Sequence, residues 1–426
     1  MKKVGVAILG LGVVGGGTYK ILTDNREYFK KSQEVDVSVE SVLEINAERI
    51  KALNIDSSIV AKNIEEVVSN PMVDIVVEVM GGTTFAKDFV IKALKSGKTV
   101  VTSNKELLAK HWPELEQTAK KGHAGLYFEA SCVGGVPIIR VLQEGMQANV
   151  IKSLKGIVNG TTNYILTKMS EEGSSYEDAL KQAQALGYAE FNPTADVEGF
   201  DSTYKLSILS SLAFNTKISV EDISRKGITS ITKEDMLYGK QLGYTLKLLA
   251  IGKNTENGIE VRVHPTYVAN SNQLATVSDS FNAVSLVGDS VGDIMLYGRG
   301  AGALPTGSAI VSDVLFAAKH PENYYATFDN TVDGKKTTKF VSDYTSQYFI
   351  RLTVQDANGV LGKIANAFAK QKVGIKQVKQ SAGVDGKTPV IIITHECNES
   401  NLNKAIEKIK NLAPVYSVDS VIYLED

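Results

Sequence analysis

The sequence predicts an α/β protein built from three successive parts, and three observations support this class. Strand-like and helix-like segments alternate up to about residue 130, which is typical of a parallel, doubly wound sheet. The order then becomes mixed, and the last ~80 residues read β-α-β-β-α-β. A length of 426 residues fits this division, because domains usually span about 100–200 residues.

The first predicted domain, residues 1–130, begins with a strand at 4–9, a glycine-rich turn and a helix at 18–31. Further strands are predicted at 35–43, 74–80, 99–104 and 125–131, and further helices at 86–96 and 105–121. The strands are apolar over most of their length, as expected for a sheet covered on both faces.

The second predicted domain, residues 131–305, is mixed α/β and is expected to carry catalysis and dimerisation. Its predicted elements are strands at 154–160 and 259–268 and helices at 161–172, 176–186 and 201–213. An apolar helix at 308–319 is expected to return to the first domain. The polar stretch 320–346 has few large apolar residues and is predicted to be a linker.

The third predicted domain, residues 347–426, has strands at 349–354, 374–381, 388–395 and 414–424, with helices at 360–372 and 400–411. This order is that of a ferredoxin-like split βαβ arrangement.

Composition excludes several classes of protein. Hydrophobic residues make up 43% and charged residues 22%, as in ordinary globular proteins. The net charge of −2 provides no field that would draw the chain to nucleic acid or anionic lipid. The two cysteines, Cys132 and Cys397, form no CxxC pair, so neither a disulfide framework nor a structural zinc site is predicted. Because no segment approaches a ~20-residue membrane span, we expect a cytoplasmic protein.

A glycine motif follows the first strand directly. Gly10, Gly12 and Gly15, with Val13 and Val14 between the last two, form G-x-G-x-x-G at the start of the first helix. In this context the first glycine permits a tight turn, the second admits a pyrophosphate and the third lets helix and strand pack. The motif therefore predicts a Rossmann-type NAD(P) site, and a glycine-rich turn without a ligand is the alternative.

Glu44 follows the second predicted strand, where an acidic side chain binds a ribose 2′-hydroxyl and favours NAD. Arg49 is close enough in sequence to offer a partner for a 2′-phosphate, so the choice between NAD and NADP stays open.

Hydride transfer to a carbonyl needs a group that polarises the oxygen and supplies a proton. No histidine lies between residues 124 and 263, so a lysine with a pKa lowered by a cavity is the natural substitute. One candidate group comprises Glu190, Asp196, Asp201 and Lys205. Asp201 and Lys205 lie four residues apart on one predicted helix face. The alternative to a catalytic role is an ordinary solvated ion pair between them. The almost uncharged segment that follows favours a buried helix instead.

A second candidate is the Tyr-x-x-x-Lys pattern of Tyr164 and Lys168, which is similar to that of short-chain dehydrogenases. Those enzymes have a differently spaced glycine motif and a single compact domain. Packing and surface roles are the alternative for these two residues.

The chain resembles the homoserine dehydrogenases in the following segments: GLGVVG, SNK (103–105), EASCVGGVPI (129–138), GIVNGTTNYILTKM (156–169), LGYAEFNPTADVEGFDSTYK (186–205) and GRGAGALPTGSAIVSD (298–313). The resemblance implies reversible NAD(P)-dependent interconversion of L-aspartate 4-semialdehyde and L-homoserine, on the route to threonine and methionine.

The resemblance also implies roles for individual residues. Lys205 would be the proton donor and Lys105 a second lysine near nicotinamide and substrate. Glu190 and Asp201 match positions that bind the substrate, and Glu190 also matches a position near the cofactor. Asp196 matches a supporting carboxylate. Two further glycines match positions near the cofactor, Gly187 and Gly302.

EASCVGGVPI matches the family's monovalent-cation loop. Sodium would be held by Glu129 and by backbone carbonyls around Cys132, Gly134 and Val136. This chain has Cys132 and Val133 where valine and glycine are frequent, so the backbone freedom of a glycine is lost at Val133. A buried, small hydrophobic residue is the alternative for Cys132.

The segment 356–365, DANGVLGKIA, resembles the start of an ACT domain. Such a domain implies an allosteric site for an amino acid, threonine being the family expectation. A domain that only dimerises, or that does not respond to a ligand, is the alternative. We expect the whole chain to form a homodimer or homotetramer. For the whole chain, the alternatives are another dehydrogenase of small amino or hydroxy acids and a non-catalytic amino-acid sensor.

Overall fold

The computed structural model describes residues 1–320, 322, 325, 328 and 338–425. The chain divides into two compact units, which are described separately. The first unit contains Met1–Leu154, Asp201–Ile223 and Phe281–Thr338, and the second contains Lys155–Phe200, Ser224–Ser280 and Lys339–Asp426. About half of the predicted linker 320–346 falls outside the described residues, and its last two residues belong to a strand.

A five-stranded parallel sheet organises the first unit, in the order β2-β1-β3-β4-β5. The strands are β1 (Lys2–Leu9), β2 (Val35–Leu43), β3 (Ile75–Glu78), β4 (Thr99–Thr102) and β5 (Leu126–Tyr127). The order reverses between β1 and β3, which is the switch point where such sheets bind ligands beyond the carboxyl ends of their strands. The predicted parallel Rossmann-type sheet is confirmed.

Helices cover this sheet. They are α1 (Val13–Asp24), α2 (Arg26–Gln33), α3 (Ala47–Ala52), α4 (Ile64–Ser69), α5 (Thr84–Lys95), α6 (Lys105–Gly122) and the short α7 (Ile138–Arg140). The single helix predicted at 18–31 is wrong, because the chain breaks at Asn25 into α1 and α2. The strand predicted at 125–131 is also too long, since only two residues pair with β4 before a short 3₁₀ helix begins at Glu129.

The first unit also contains the hairpin of β10 (Phe281–Gly288) and β11 (Gly292–Arg299), helix α13 (Ala303–Lys319) and nearly all of α11 (Phe200–Ala213). Helix α13 packs closely on α1. A Cβ built on Gly17 would lie 2.2 Å from the carbonyl oxygen of Ala303, so the two helices touch through backbone. The apolar face of α13 joins the core of the sheet through Ile310 and Val314, both without exposure.

The second unit is built on a mixed sheet. Its elements outside the C-terminal part are α8 (Gly160–Glu171), α9 (Tyr176–Ala185), α10 (Thr194–Val197), β7 (Ser224–Arg225), α12 (Lys233–Gln241), β8 (Tyr244–Thr255) and β9 (Gly258–Ala269). Strand β6 (Ile151–Ile157) begins in the first unit and ends in the second. Strands β8 and β9 form a long antiparallel hairpin.

The C-terminal part follows the predicted β-α-β-β-α-β order. It comprises β12 (Thr345–Gln355), α14 (Val360–Lys370), β13 (Ile375–Gln380), β14 (Lys387–Thr394), the two-residue β15 (Cys397–Asn398), α15 (Glu399–Lys410) and β16 (Val415–Glu425). The sheet order β16-β12-β14-β13 is antiparallel throughout, as in the ferredoxin-like arrangement. Strand β16 also pairs in parallel with β9. Among the described residues, no helix combines the length and apolarity needed to cross a bilayer.

Candidate functional site

The three glycines of the motif each meet a different physical requirement. Gly10 has φ +94°, a conformation that favours glycine. A Cβ on Gly15 would lie 2.0 Å from the carbonyl oxygen of Gly10, so only glycine lets α1 approach β1. A Cβ on Gly12 would meet nothing within 4 Å, and Gly12 caps α1 without any side-chain hydrogen bond. The backbone N–H groups at the start of α1, including those of Val13 and Val14, are therefore arranged to receive an anion.

Glu44 lies against the glycine motif. Its carboxylate accepts hydrogen bonds from the N–H of Leu11 at 2.6 Å and of Asn46 at 2.8 Å. Burial acts to raise the pKa of Glu44, but these N–H donors and the nearby Arg49 outweigh it and the pKa is lowered. Glu44 is therefore a buried anion that shapes the loop, and the half-exposed Arg49 lies 3.5 Å from it.

Two lysines and one carboxylate come together in the first unit. The Nζ of Lys205 lies 2.7 Å from Asp201 Oδ2, and the Nζ of Lys105 lies 3.0 Å from Asp201 Oδ1. Asp201 and Lys205 are buried, whereas the side chain of Lys105 is 41% exposed. This arrangement holds two ammonium groups around one carboxylate, so both can face one developing negative charge.

Helix α6 presents Lys105 at its first position. The side chain of Asn104 caps the helix by accepting a hydrogen bond from Leu107 N–H at 3.1 Å, and its amide donates to the carbonyl of Gly82 at 2.7 Å. Because the cap fixes the first turn, the direction in which Lys105 leaves the backbone is fixed too.

Helix α11 presents Asp201 and Lys205 on its first turns. The prediction that this helix is buried is confirmed, since its buried residues include Ser202, Leu206 and Ile208. Buried, paired charges differ from a solvated i,i+4 pair because water does not screen them.

The remaining carboxylates of the predicted group lie in the second unit. Asp196, on α10, accepts a 2.7 Å hydrogen bond from the side chain of Asn159. Asn159 caps α8, so this bond joins the segment NGTTNYI to the segment that carries Asp196. Gly187 has φ +76°, and both Gly187 and Glu190 lie in the exposed loop after α9.

The geometry of Tyr164 and Lys168 does not match a tyrosine proton donor. Lys168 pairs with Glu172 at 2.8 Å, and its ammonium lies 5.4 Å from the centre of the Tyr164 ring. The hydrogen bond to Glu172 raises the pKa of Lys168. This is the arrangement of a packed helix surface.

The predicted cation loop turns sharply at Val133 and Gly134, which have φ +46° and +53°. The valine therefore adopts the conformation that glycine favours, at a strain of about 1–2 kcal/mol. A Cβ on Gly134 would lie 2.4 Å from the carbonyl of Gly300, so the loop packs against the segment before Gly302. Gly302 itself has φ +122° and caps α13.

Cys132, within the predicted cation loop, is fully buried, with its Sγ 3.8 Å from the carbonyl oxygen of Lys205. Burial raises the pKa of this thiol to about 12, so it behaves as a small apolar side chain.

Glu129 is engaged by backbone. Its two carboxylate oxygens accept hydrogen bonds from the N–H groups of Ile139 and Arg140, each at 2.8 Å. Burial, and the neighbouring Asp313, raise the pKa of Glu129 to about 7. Its backbone oxygen accepts a hydrogen bond from the N–H of Cys132 at 3.5 Å, and the carbonyl of Val136 accepts one from the N–H of Ile138 at 2.8 Å. Within the described part of the chain, no group of three or more His, Cys, Asp or Glu side chains forms a metal site.

The DANGVLG turn lines a cavity of about 370 Å³ in the second unit, bordered by Gln355, Asp356, Gly362 and Gln380. Gly359 begins α14 with φ +80° and no side-chain cap. The first N–H groups of an uncapped helix suit a carboxylate.

Two family profiles match the chain. The family described as Homoserine dehydrogenase matches residues 137–315, and that described as Homoserine dehydrogenase, NAD binding domain, matches residues 10–129. A homoserine dehydrogenase of Bacillus subtilis (strain 168) is 38% identical over 100% of this chain and 99% of its own length.

Solved structures agree with these matches. The crystal structure of a homoserine dehydrogenase from Thiobacillus denitrificans superposes with a TM-score of 0.93 at 38% identity, covering 100% of this chain and 99% of that one. A hyperthermophilic archaeal homoserine dehydrogenase in complex with NADPH superposes with a TM-score of 0.63 at 28% identity, covering 74% of this chain and 98% of that one.

Proposed function

The chain belongs to the homoserine dehydrogenase family, and from this premise we propose how its residues perform the reversible NAD(P)-dependent reduction of L-aspartate 4-semialdehyde to L-homoserine. The observation that carries the proposal is the contact of Asp201 with both Lys105 and Lys205. Homoserine dehydrogenases are oxidoreductases that act on a CH–OH group, and two cations beside one carboxylate suit that chemistry.

The residues around the glycine motif fit a nicotinamide cofactor. Gly12 leaves open space in front of α1, and Gly10 and Gly15 bring strand and helix close together. The pyrophosphate would be held by the first N–H groups of α1. When bound, the reduced cofactor supplies the hydride.

Lys205 supplies the proton in the proposed reaction. As hydride reaches the aldehyde carbon, negative charge develops on the oxygen. The ammonium of Lys205 donates a proton to this oxygen and becomes the neutral amine. Asp201 holds that ammonium in place at 2.7 Å. Lys105 is a second cation that stabilises the same charge. In the reverse direction Lys205 accepts the hydroxyl proton of homoserine.

The substrate's ammonium group is assigned to carboxylates. By the family pattern these are Glu190 and Asp201, with Asp196 supporting, and the hydrogen bond from Asn159 is consistent with a supporting role for Asp196. Gly187, Glu190 and Gly302 are assigned to the surroundings of the cofactor on the same basis.

The catalytic assignment is tested by Lys205→Ala and Lys105→Ala. We expect kcat to fall by about 10²–10⁴-fold for Lys205→Ala, in a spectrophotometric assay with homoserine and each cofactor. Near-native turnover of Lys205→Ala ends the proposal. Activity with other small hydroxy acids but not with homoserine would favour the alternative dehydrogenase.

For NADP, the partner of the 2′-phosphate is assigned to Arg49, which is half exposed beside Glu44. An arginine can form charge-assisted hydrogen bonds to a 2′-phosphate. We expect Arg49→Leu to raise the KM for NADPH by about tenfold with little effect on NADH. Equal effects on both cofactors would contradict this assignment, and a strong NADH preference of the unmodified enzyme would favour the role of Glu44.

A sodium ion is assigned to the loop that carries Glu129, Cys132, Gly134 and Val136. The proposed ligands there are oxygens, which suit a hard cation. Because the carboxylate of Glu129 is already engaged by two N–H groups, backbone carbonyls are the proposed ligands. Dialysis against sodium-free buffer is expected to lower activity or the melting temperature, and no change would count against the site.

The C-terminal part is assigned to regulation as an ACT domain, with threonine in the cavity at the DANGVLG turn. The uncapped start of α14 supports a carboxylate ligand there. Titrating threonine during the assay tests this, and activity that does not change with threonine would favour a domain that only dimerises.

The protein is further proposed to be a homodimer or homotetramer in the cytoplasm. Its two buried thiols without a disulfide are consistent with that location.

A further inference from the structure

Glu78 is a buried carboxyl at the ligand-binding edge of the parallel sheet. It is the last residue of β3 and lies in register with Leu9 of β1 and Thr102 of β4. Leu9 immediately precedes the glycine motif, and the switch point of the sheet lies between β1 and β3. Glu78 has no exposed surface.

One oxygen of Glu78 shapes the loop after β3. Oε1 accepts hydrogen bonds from the N–H groups of Met80 at 2.9 Å and Gly81 at 3.3 Å. Gly81 and Gly82 both have positive φ, +75° and +69°, and a Cβ on either would meet nothing within 4 Å. A Cβ on Gly10 would lie 3.2 Å from the Met80 side chain. The loop therefore lies against the first glycine of the motif and leaves its own glycines open.

The other oxygen of Glu78 reaches the start of α6. Thr102 donates its hydroxyl proton to Oε2 at 2.7 Å and accepts from the N–H of Asn104 at 3.0 Å. The side chain of Asn104 donates a hydrogen bond to the carbonyl of Gly82 at 2.7 Å. These hydrogen bonds through Glu78, Thr102 and Asn104 are called the circuit below. Glu78, Thr102 and Asn104 thus tie the loop after β3 to the residue that precedes Lys105.

Burying the carboxyl of Glu78 costs free energy, which argues that the circuit serves the reaction and not the stability of the sheet. Burial raises the pKa of Glu78 even though hydrogen bonds from Thr102, Met80 and Gly81 act to lower it. A buried carboxyl is unfavourable unless its oxygens are satisfied. An apolar residue would stabilise the interior of the sheet better, but it could not bind two N–H groups and a hydroxyl at once.

We propose that Glu78 is a positioning residue for the dehydrogenase reaction, which holds the loop Met80–Gly82 and the start of α6 in a fixed relation and so sets the position of the Lys105 ammonium. The proposal rests on the proposed role of Lys105. A displacement of about 1 Å at a catalytic group lowers the rate by up to about 10²-fold. The effect falls on kcat, since Lys105 acts on charge that develops only in the transition state.

Thr102→Val and Glu78→Gln test the circuit. Valine has the shape of threonine but neither donates nor accepts, and glutamine keeps one carbonyl oxygen. We expect kcat to fall at least tenfold with Thr102→Val while the KM for aspartate semialdehyde changes less than threefold. Thr102→Ser, which keeps the hydroxyl, should restore most of kcat. The matched control is Val100→Ala, because Val100 is a buried residue of the same strand that takes no part in the circuit. This substitution should lower the melting temperature but leave kcat nearly unchanged.

A double-variant cycle separates positioning from general damage. In a Lys105→Ala background, Thr102→Val should lower kcat by less than twofold further. A full additional loss in that background would overturn the proposal, as would a kcat of Thr102→Val or Glu78→Gln equal to that of Val100→Ala. A raised Kd for NADPH with unchanged kcat would also overturn it, by confining Glu78 to the cofactor loop. Near-native activity of Lys105→Ala alone would instead remove the proposed function of Lys105.

Discussion

The carboxylate of Asp201 lies 2.7 Å from the ammonium of Lys205, one helical turn further along α11, and both side chains are nearly buried. The second oxygen of Asp201 lies 3.0 Å from the ammonium of Lys105. One carboxylate thus offsets two cations that would otherwise repel each other. Asp201 therefore helps to hold both ammonium groups in place.

Asp201→Asn is expected to lower kcat/KM by about 10²–10³-fold, because it keeps the shape of the side chain but removes the charge that holds both ammonium groups. The measurement is steady-state kinetics with homoserine. Asp24→Asn is the control, since Asp24 forms an i,i+4 pair with Lys20 at 3.8 Å that is well exposed. Equal, small effects of the two substitutions would mean that Asp201 and Lys205 are an ordinary salt bridge.

Two substitutions in the glycine motif should separate the stability of the fold from the binding of the cofactor. Gly15→Ala places a Cβ where the carbonyl of Gly10 stands, and we expect it to lower the free energy of unfolding by about 3 kcal/mol. Gly12→Ala meets open space and should leave the melting temperature nearly unchanged while raising the Kd of NADPH at least tenfold. Urea unfolding and fluorescence titration measure the two effects. Tight NADPH binding by Gly12→Ala would contradict the predicted approach of a pyrophosphate to this residue.

The sequence was most informative where local pattern and structure coincide. The strands of the parallel sheet are short apolar runs between turn signals. Gly10 has the positive φ, and Gly15 the close approach of helix to strand, that the spacing of the motif predicts. Asp201 and Lys205 could be paired from their spacing on one helix, because residues four apart share a face.

What could not be predicted depends on contacts between distant segments. The pairing of Lys105 with Asp201 joins residues far apart in sequence, so periodicity carries no signal for it. The role of Glu78 was missed for the same reason, although a charged residue ending an apolar strand before two glycines is a signal that could have been used. The valine at 133 adopts φ +46° against its own preference, because the packing of Gly134 on Gly300 determines the turn.

The C-terminal part predicts a second measurable ion pair. Arg351 of β12 lies 2.9 Å from Asp235 of α12, whose side chain has no exposed surface. We expect Arg351→Ala to lower the free energy of unfolding by about 3 kcal/mol, since it leaves a buried carboxylate with less compensation. Lys410→Ala is the control, because Lys410 pairs with Glu407 at the surface, and it should change stability by less than about 0.5 kcal/mol. A small effect of Arg351→Ala would show that Thr232 and Ser420, which also donate to Asp235, suffice.

Glu425, the last residue of β16, predicts a loss of stability in acid. Its carboxylate lies 2.6 Å from Lys155, 3.0 Å from Lys253 and 3.1 Å from Arg262. Burial acts to raise the pKa of Glu425, but these three cations outweigh it and lower the pKa to about 2. A carboxyl whose pKa is lowered by folding stabilises the protein above its unfolded pKa, and that contribution is lost as the pH falls towards the folded pKa.

The contribution of Glu425 should therefore be complete above about pH 5 and decline below the usual carboxyl pKa of about 4.5. Between about pH 6 and pH 3.5 the linkage is on the order of 1 kcal/mol. Urea unfolding of the unmodified protein and of Glu425→Gln across this range measures it, because the variant cannot titrate at this position. We expect the unmodified protein to be more stable at neutral pH and the difference between the two to shrink as the pH falls. A difference that stays constant with pH would mean that folding does not lower the pKa of Glu425.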